Sequence, residues 1–385
     1  MSKEWPLVKL GEVLRPTERG EAVDPAKTYR LLGVRLDGLG PFLRETVTGV
    51  QTSATKLFRV LKGDFIYSRL FAGRGAFGVI SEELHGCFVS GEFPTFVPVP
   101  EKIDAEYLKY WFRLPSIIAR VDADCTGSTP LTRNRFKENF FLALEISLPA
   151  ISEQRRIVAR IEELVAQIED ARVVREQVKA DLNGLLASAH RQIAEGSPRK
   201  PLSEVAPLNR RPVTVELESS YPQIAVRSFG RGTFHKPPLV GSEVTWEKPF
   251  LVEEGDILVS NIKAWEGALA VAKAEDGGRV GSHRYLTCVP LKEVATAQFV
   301  CFYLLTPEGL YEVGEASPGS ADRNRTLSAK AFMQIQIPVP EYSRQLWFDS
   351  LFGEVQRLKR LQEETSKELD ALLPSILDKA FKGEL

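Results

Sequence analysis

Two stretches of the chain carry apolar residues at a spacing that suits a long helix. In the first, Ile157, Ile161, Leu164, Ile168, Ala171, Val178, Leu182, Leu185 and Ala189 follow one another in steps of four and three, interrupted only at Arg175. That heptad seam predicts a coiled-coil helix. Pro149 precedes it, Ser152 is placed to cap it, and Glu153 puts negative charge in its first turn. From Ser152 to His190 such a helix is about 58 Å long at 1.5 Å per residue. The second stretch runs from about Ser343 to Phe381, with Phe348, Leu351, Val355, Leu358, Leu369, Leu372 and Ile376 as its seam. Gln362 and Thr365 interrupt it near the middle, and Pro374 predicts a kink or loosening near the end.

The rest of the chain reads differently. Short runs of β-branched and aromatic residues between glycine and proline, such as YRLLGVRL, GDFIYSRL and CFVSGEFPTFVPV, predict strands. One helical stretch is expected in each such region, at Asp104–Phe112 and Ala295–Leu305. These regions repeat. A shift of 192 residues lays Leu10 on Leu202, Tyr29 on Tyr221, Val34-Arg35 on Val226-Arg227, Phe42 on Phe234, VLKGDFIYS on VEEGDILVS, and Gly127-Ser128 on Gly319-Ser320, without a gap. An internal duplication accounts for this. The expected architecture is α+β: two similar α/β segments, 1–150 and 196–340, separated by long helices over 151–195 and 341–385. The helices pair as an antiparallel coiled coil under a pseudo-two-fold repeat. The polar seam positions Arg175, Gln362 and Thr365 would lie at similar heights in a parallel pair too, so they do not set the orientation.

Composition changes this picture little. The 385 residues carry a formal net charge of −1, which gives no hint of nucleic acid. The first segment holds 20 Lys/Arg against 18 Asp/Glu, and the second 16 of each. No apolar run approaches the roughly 20 residues that span a bilayer, and MSKEWPLVKL lacks an apolar signal core. A cytoplasmic protein is expected. Cys87, Cys125, Cys288 and Cys301 form no C-x-x-C, and no histidine stands at ligand spacing from them, so no metal site is expected.

FAGRGAFG, from Phe71 to Gly78, spells G-x-G-x-x-G and resembles the glycine loop of S-adenosylmethionine sites. A cofactor loop opens a helix. Here VISEELHGCFVSGEFPTF follows, with strand rather than helix character, and the matching place in the second segment, KAWEGALA, keeps only Gly267. The reading is a glycine-rich turn between strands. The Asn/Asp-Pro-Pro-Tyr/Phe loop that holds a flipped adenine is missing, as is a Walker-type GxxxxGK[ST]. No catalytic residue is assigned.

VKLGEV and KPLSEV open the two segments, and GDFIYS and GDILVS recur inside them. LPAISEQRRIVARIEEL leads into the first long helix and LLPSILDKAFKGEL ends the chain. In these motifs and their order the whole chain resembles the DNA-specificity (S) subunits of type I restriction-modification systems. It departs from the pattern at VPEYSRQLWF, where Arg344 stands in the place of Glu153. The resemblance implies that each segment is a target-recognition domain reading half of a split site in double-stranded DNA. The helices would set the spacing and dock two methyltransferase subunits, and restriction subunits would join that core. It implies no cofactor on this chain; S-adenosylmethionine, ATP and Mg are expected on the partner subunits.

Matched polar loops supply the candidate DNA contacts, since Arg can grip guanine and Asn adenine with paired hydrogen bonds. In the first segment they are Arg35, Ser68, Arg69, Arg74, Thr129, Arg133, Asn134 and Arg135. In the second they are Arg227, Arg231, Ser260, Asn261, Lys263, Arg323, Asn324 and Arg325. Apolar residues off the helical seams are the candidate partner contacts: Val165, Val173, Val174, Leu186, Phe352, Leu361, Leu373 and Phe381. Two other classes stay open, a methyltransferase built on residues 71–78 and a scaffold whose β-rich segments bind protein or glycan.

Overall fold

The computed structural model describes residues 5–125, 135–245, 248–319 and 325–385. The chain divides into two compact units. One comprises Met1–Val174 with Glu363–Leu385, the other Arg175–Gln362. Each combines one globular segment with part of each long helix, Ile151–Ala194 and Tyr342–Phe381.

In the first unit, a five-stranded sheet is built around Thr28–Arg35. That strand pairs antiparallel with Gly40–Thr48 and parallel with Phe88–Val89. A four-stranded sheet places Phe65–Tyr67 between Phe77–Val79 and Thr95–Pro98. The second unit repeats the plan. Ser220–Val226 pairs antiparallel with Thr233–Val240 and parallel with Val280–Gly281, and Ile257–Ser260 lies between Leu269–Val271 and Tyr285–Cys288. The core of the first unit is aromatic. Phe65, Tyr67, Phe77, Phe96, Phe112, Phe136 and Phe141 are all buried together, with Phe77 and Phe112 stacked at 4.0 Å. Burying each such ring stabilises the fold by about 1.5–3 kcal/mol.

The repeated Gly-Asp motif is structural. Asp64 is buried, accepts a hydrogen bond from the Leu61 amide (2.8 Å), and is gripped by both Nη atoms of Arg19. Asp256 does the same with the Glu253 amide (2.9 Å) and Arg211. Each carboxylate closes the turn before its central strand, and the paired guanidinium offsets the cost of burying its charge.

Each segment holds more helix than the sequence reading expected. Asp104 caps Ala105–Trp111 through the amides of Glu106 and Tyr107, and Pro115 then starts a second helix, Pro115–Ala123. Thr296 caps Ala297–Leu304, and Pro307 starts Pro307–Glu315. The missed signal was proline at the first helical position.

The helix pairing is antiparallel within each unit. In the first, Arg156 donates to the Leu385 carbonyl (2.8 Å) and Arg172 to Asp370 (2.9 Å), so the second helix descends as the first ascends. In the second, Lys359 meets Asn183 (2.6 Å), and Arg175 donates to the Gln362 carbonyl. The seam itself needs correction. Leu186 is only 2% exposed, packed with Ala189, Ile193, Phe299, Phe348 and Val355, whereas Leu185, placed on the seam by spacing, is 47% exposed. Val178, Leu358 and Leu372 are also exposed, and Leu377 and Ala380 are buried in the first core. The heptad describes a helix facing one partner helix. Here the aromatic residues of the globular segment claim a neighbouring stripe. Ser152 lies inside the first turn rather than capping it: the Ala150 carbonyl receives the amides of Glu153 and Gln154. The second helix runs through Pro374.

Candidate nucleic-acid interface

In each unit a hairpin tip is fastened to a glycine-capped turn. Asp37 donates its amide to the Arg74 carbonyl (3.1 Å) and Gly38 to Gly75 (2.8 Å). In the second unit Phe229 donates to Glu266 and Gly230 to Gly267, both at 2.8 Å. The turn is the 3-10 stretch Ala72–Arg74, or Ala264–Glu266, ended by a left-handed glycine, Gly75 (φ 75) or Gly267 (φ 76), and followed by a strand. Residues that follow the helices Pro115–Ala123 and Pro307–Glu315 in sequence close the corner, with Phe136 donating to the Arg69 carbonyl (2.9 Å) and Leu327 to that of Asn261 (2.7 Å).

This geometry decides the glycine loop. A Cβ on Gly78 would lie 2.7 Å from the Gly40 Cα, and one on Gly73 would lie 2.3 Å from the Asp122 carboxylate. The glycines admit the chain's own hairpin and helix, and no helix follows them to cradle a phosphate. The loop does not fit an S-adenosylmethionine site.

Several candidate contacts come together at these corners. Arg74 is exposed beside the hairpin tip. Arg135 is exposed and makes a two-pronged ion pair with Glu92 (2.8 and 3.1 Å). Arg69 is held by the Gly91 carbonyl (2.7 Å) and by Glu138. Arg35 and Arg227 flank the hairpin tips, each guanidinium 4.7 Å from a ring, Phe42 and Phe234 respectively. In the second unit Lys263 and Arg325 both stand 5.3 Å from the Trp265 ring, and Lys263 also pairs with Glu266 (2.6 Å). Among the described residues, Asn261 Oδ1 and Trp265 Nε1 are buried without a hydrogen-bond partner.

Ser68 and Ser260 must be withdrawn as DNA contacts. Both are buried, Ser68 just past the end of its central strand and Ser260 at the end of its own, and their amides pair with the Ala76 and Ala268 carbonyls (3.0 Å each). Thr129, Arg133, Asn134, Arg323 and Asn324 lie outside the described residues. The sequence reading also passed over exposed apolar side chains at the corners: Leu39, Leu70 and Phe71 in the first unit, Phe229 and Ile262 in the second. The closely spaced glycines of LDGLG and SFGRG were the available signal for the projecting tips.

The candidate partner contacts divide as well. Val173 and Val174 are 68% and 61% exposed, and Leu361 is exposed. Leu186 is corrected to core. Leu373 and Phe381 pack on their own unit's core, Phe381 4.8 Å from Tyr107, while Phe352 and Val165 are half-buried. Leu346 and Trp347 are exposed near the start of the second helix and were not anticipated.

Burial sets the titration of the remaining groups. It pushes the Cys288 and Cys301 thiols up to about 12, which leaves them as inert thiols. His190, stacked on Phe299 at 4.3 Å, is held down to about 4. Asp349, whose Oδ1 accepts from the Thr296 hydroxyl (2.9 Å), is raised by burial to about 6. Among the described residues no cluster of His, Cys, Asp and Glu could hold a metal, and no helix is long and apolar enough to cross a membrane.

Twin α/β segments, each joined to paired long helices, define a duplicated helix-linked fold. It is the fold of type I restriction-modification S subunits. The HsdS subunit from Thermoanaerobacter tengcongensis superposes with a TM-score of 0.61 at 22% identity, over 100% of this chain and 98% of that one. A chain from a structure concerned with complex assembly and conformational transition of the type I R-M system superposes at 0.72, also at 22% identity, over 100% of both. No family model matches the sequence, and no curated protein matches it.

Proposed function

We propose that this chain is the DNA-specificity subunit of a type I restriction-modification complex. Residues 1–150 and 196–340 act as target-recognition domains, each reading one half of a bipartite site in double-stranded DNA. The long helices, 151–195 and 341–385, set the spacing and dock two methyltransferase subunits, with restriction subunits joining that core. The chain has no catalytic step of its own. S-adenosylmethionine, ATP and Mg belong to the partners, and the complex works in the cytoplasm, where the DNA is.

The observation that carries this reading is the twin corner, in which the same hairpin-on-turn arrangement presents different side chains in each unit. Two matched surfaces that differ in side chain suit a split, asymmetric site. Neither segment is strongly basic, so tight binding needs partner subunits to neutralise phosphates. The test is to purify the chain with its co-expressed methyltransferase and map the adenines methylated. A gapped motif, changed in one half by exchanging one segment, is the expected result. A chain that emerges alone, or a methylation pattern indifferent to segment exchange, overturns it.

A further inference from the structure

Among the described residues three non-glycines have a positive φ: Asp37 (56), Phe229 (63) and Glu293 (62). Asp37 is a residue type that tolerates this region through its short polar side chain. Phe229 is not, and a bulky L-residue held there strains the backbone. Asp37 and Phe229 are the same position of the repeat. They stand one repeat offset apart, and each follows the first strand of its hairpin, precedes a left-handed glycine, and donates its amide to the facing turn. The two units thus solve one backbone problem with different side chains, and only the second uses an aromatic ring.

That ring is not spent on the core. Phe229 is 70% exposed, and the Arg231 guanidinium stands 5.5 Å from its centroid. The tip also lines a cleft of about 840 Å³ in the second unit, whose charged lining is Arg231, Lys273, Lys359 and Arg360 against Glu266 alone. Glu266 is already occupied by Lys263 and by the Ser228 hydroxyl (2.9 Å). Lys273 also faces Glu275 (3.7 Å), which does not line the cleft, and Lys359 donates to Asn183 (2.6 Å); the lining keeps a net positive charge, which suits a polyanion. An exposed ring fixed in a strained, doubly pinned tip beside such a lining suits a polyanion with flat apolar faces.

We propose that Phe229 is an aromatic wedge that packs against bases of the second half-site, while Arg231 and the cations of the cleft take the flanking phosphates. The proposal rests on the specificity reading above and adds a contact that the first unit, with Asp37, does not have. Proteins that press an apolar side chain on a base step gain contact without adding phosphate charge. The wedge therefore separates from the phosphate contacts by its indifference to salt.

The experiment uses the full chain in complex with its methyltransferase subunits. It compares a duplex carrying the intact site with one whose second half is scrambled. Phe229→Gly and Phe229→Asn both relieve the strain, so their melting temperature should equal or exceed that of the wild type. Their affinity for the intact site should nevertheless fall by roughly tenfold to a hundredfold, the range expected for loss of one base–aromatic contact. The slope of log K against log salt should stay unchanged. Phe229→Tyr should restore binding, and Arg231→Ala should lower the salt slope by about one. Gly and Asn variants that bind the intact site like the wild type overturn the wedge and leave the specificity reading standing. So does a loss of affinity that accompanies loss of the methyltransferase, which would make Phe229 a protein contact. A wild-type complex that does not distinguish the two duplexes overturns both.

Discussion

Gln154 and Gln345 are buried at equivalent positions of the two long helices and make the same three hydrogen bonds. Gln154 accepts from the Asp104 amide (2.8 Å) and donates to the carbonyls of Lys102 and Pro149 (2.8 Å each). Gln345 accepts from the Thr296 amide (3.0 Å) and donates to those of Val294 (3.0 Å) and Pro340 (2.9 Å). Each side chain staples the start of a long helix to the cap of the helix packed beside it. The repeat keeps glutamine here while the preceding residue changes from Glu153 to Arg344, both on the outside of the turn. Replacing Gln154 or Gln345 by Leu strands three backbone groups and should cost about 3 kcal/mol or more. Arg344→Glu should change stability by less than about 0.5 kcal/mol. Denaturant unfolding of the three variants checks both statements.

Asp349 and His190 should give the second unit opposing responses to acid. The folded protein holds Asp349 protonated up to about pH 6, above its ordinary value near 4. Between those values the native state binds more protons than the unfolded one, so this group's contribution is lost as pH rises. His190 is held neutral down to about 4, below its ordinary 6.5, so its contribution is gained as pH rises across the same window. Asp349→Asn should remove the first response and raise stability at pH 7 by about 1 kcal/mol, after allowing for solvent screening of a half-buried group. His190→Phe should remove the second. Melting curves between pH 4 and 7 should tilt in opposite senses for the two variants; parallel curves would contradict the assignment.

Two glycine-to-alanine changes should have opposite signs. Gly78 lies against backbone, so Gly78→Ala must push the hairpin away and should destabilise the first unit by about 2 kcal/mol or more. Gly184 sits inside the first long helix with open space where a Cβ would go. Gly184→Ala should stabilise by about 0.5–1 kcal/mol. Thermal unfolding distinguishes them.

For DNA reading, Arg74→Ala together with Arg133→Ala should weaken binding to the intact site by about tenfold or more, with the loss confined to the first half-site. Ser68→Ala, at a buried position just past a central strand, should leave half-site preference unchanged. A methylation assay with each half-site varied separately reads both outcomes.

On the helices, Val173→Asp with Val174→Asp should abolish co-purification of the methyltransferase while shifting the melting temperature by less than about 2 °C, because both side chains are exposed. Leu186→Asp should unfold the second unit, since it buries a charge among Phe299, Phe348 and Ile193.

Much of the fold was legible because duplication writes it twice: Tyr29 and Tyr221, or Asp64 and Asp256, recur at one offset and do the same work. The helices were legible because a heptad needs only local spacing. Leu186 was misread because the ring that buries it, Phe299, is more than a hundred residues away and no period records it. Ser68 and Ser260 were misread for a related reason: a hydroxyl at the end of a strand looks the same in sequence whether the strand is central or peripheral. The corner was only half legible, since LDGLG and SFGRG announce a tight tip without saying which residue stands out from it.

The hairpin tips hold on to their turns through main-chain hydrogen bonds at Asp37–Arg74, Gly38–Gly75, Phe229–Glu266 and Gly230–Gly267, to which the second unit adds the Ser228 hydroxyl on the Glu266 carboxylate. Main-chain hydrogen bonds do not depend on which side chain is present. The corner can therefore exchange an aspartate for a phenylalanine and stay fastened, with only the modest strain of one residue to absorb. Under the proposed function, evolution can alter the letters such a surface reads at small cost to folding, so new preferences can arise one substitution at a time without passing through unfolded ancestors.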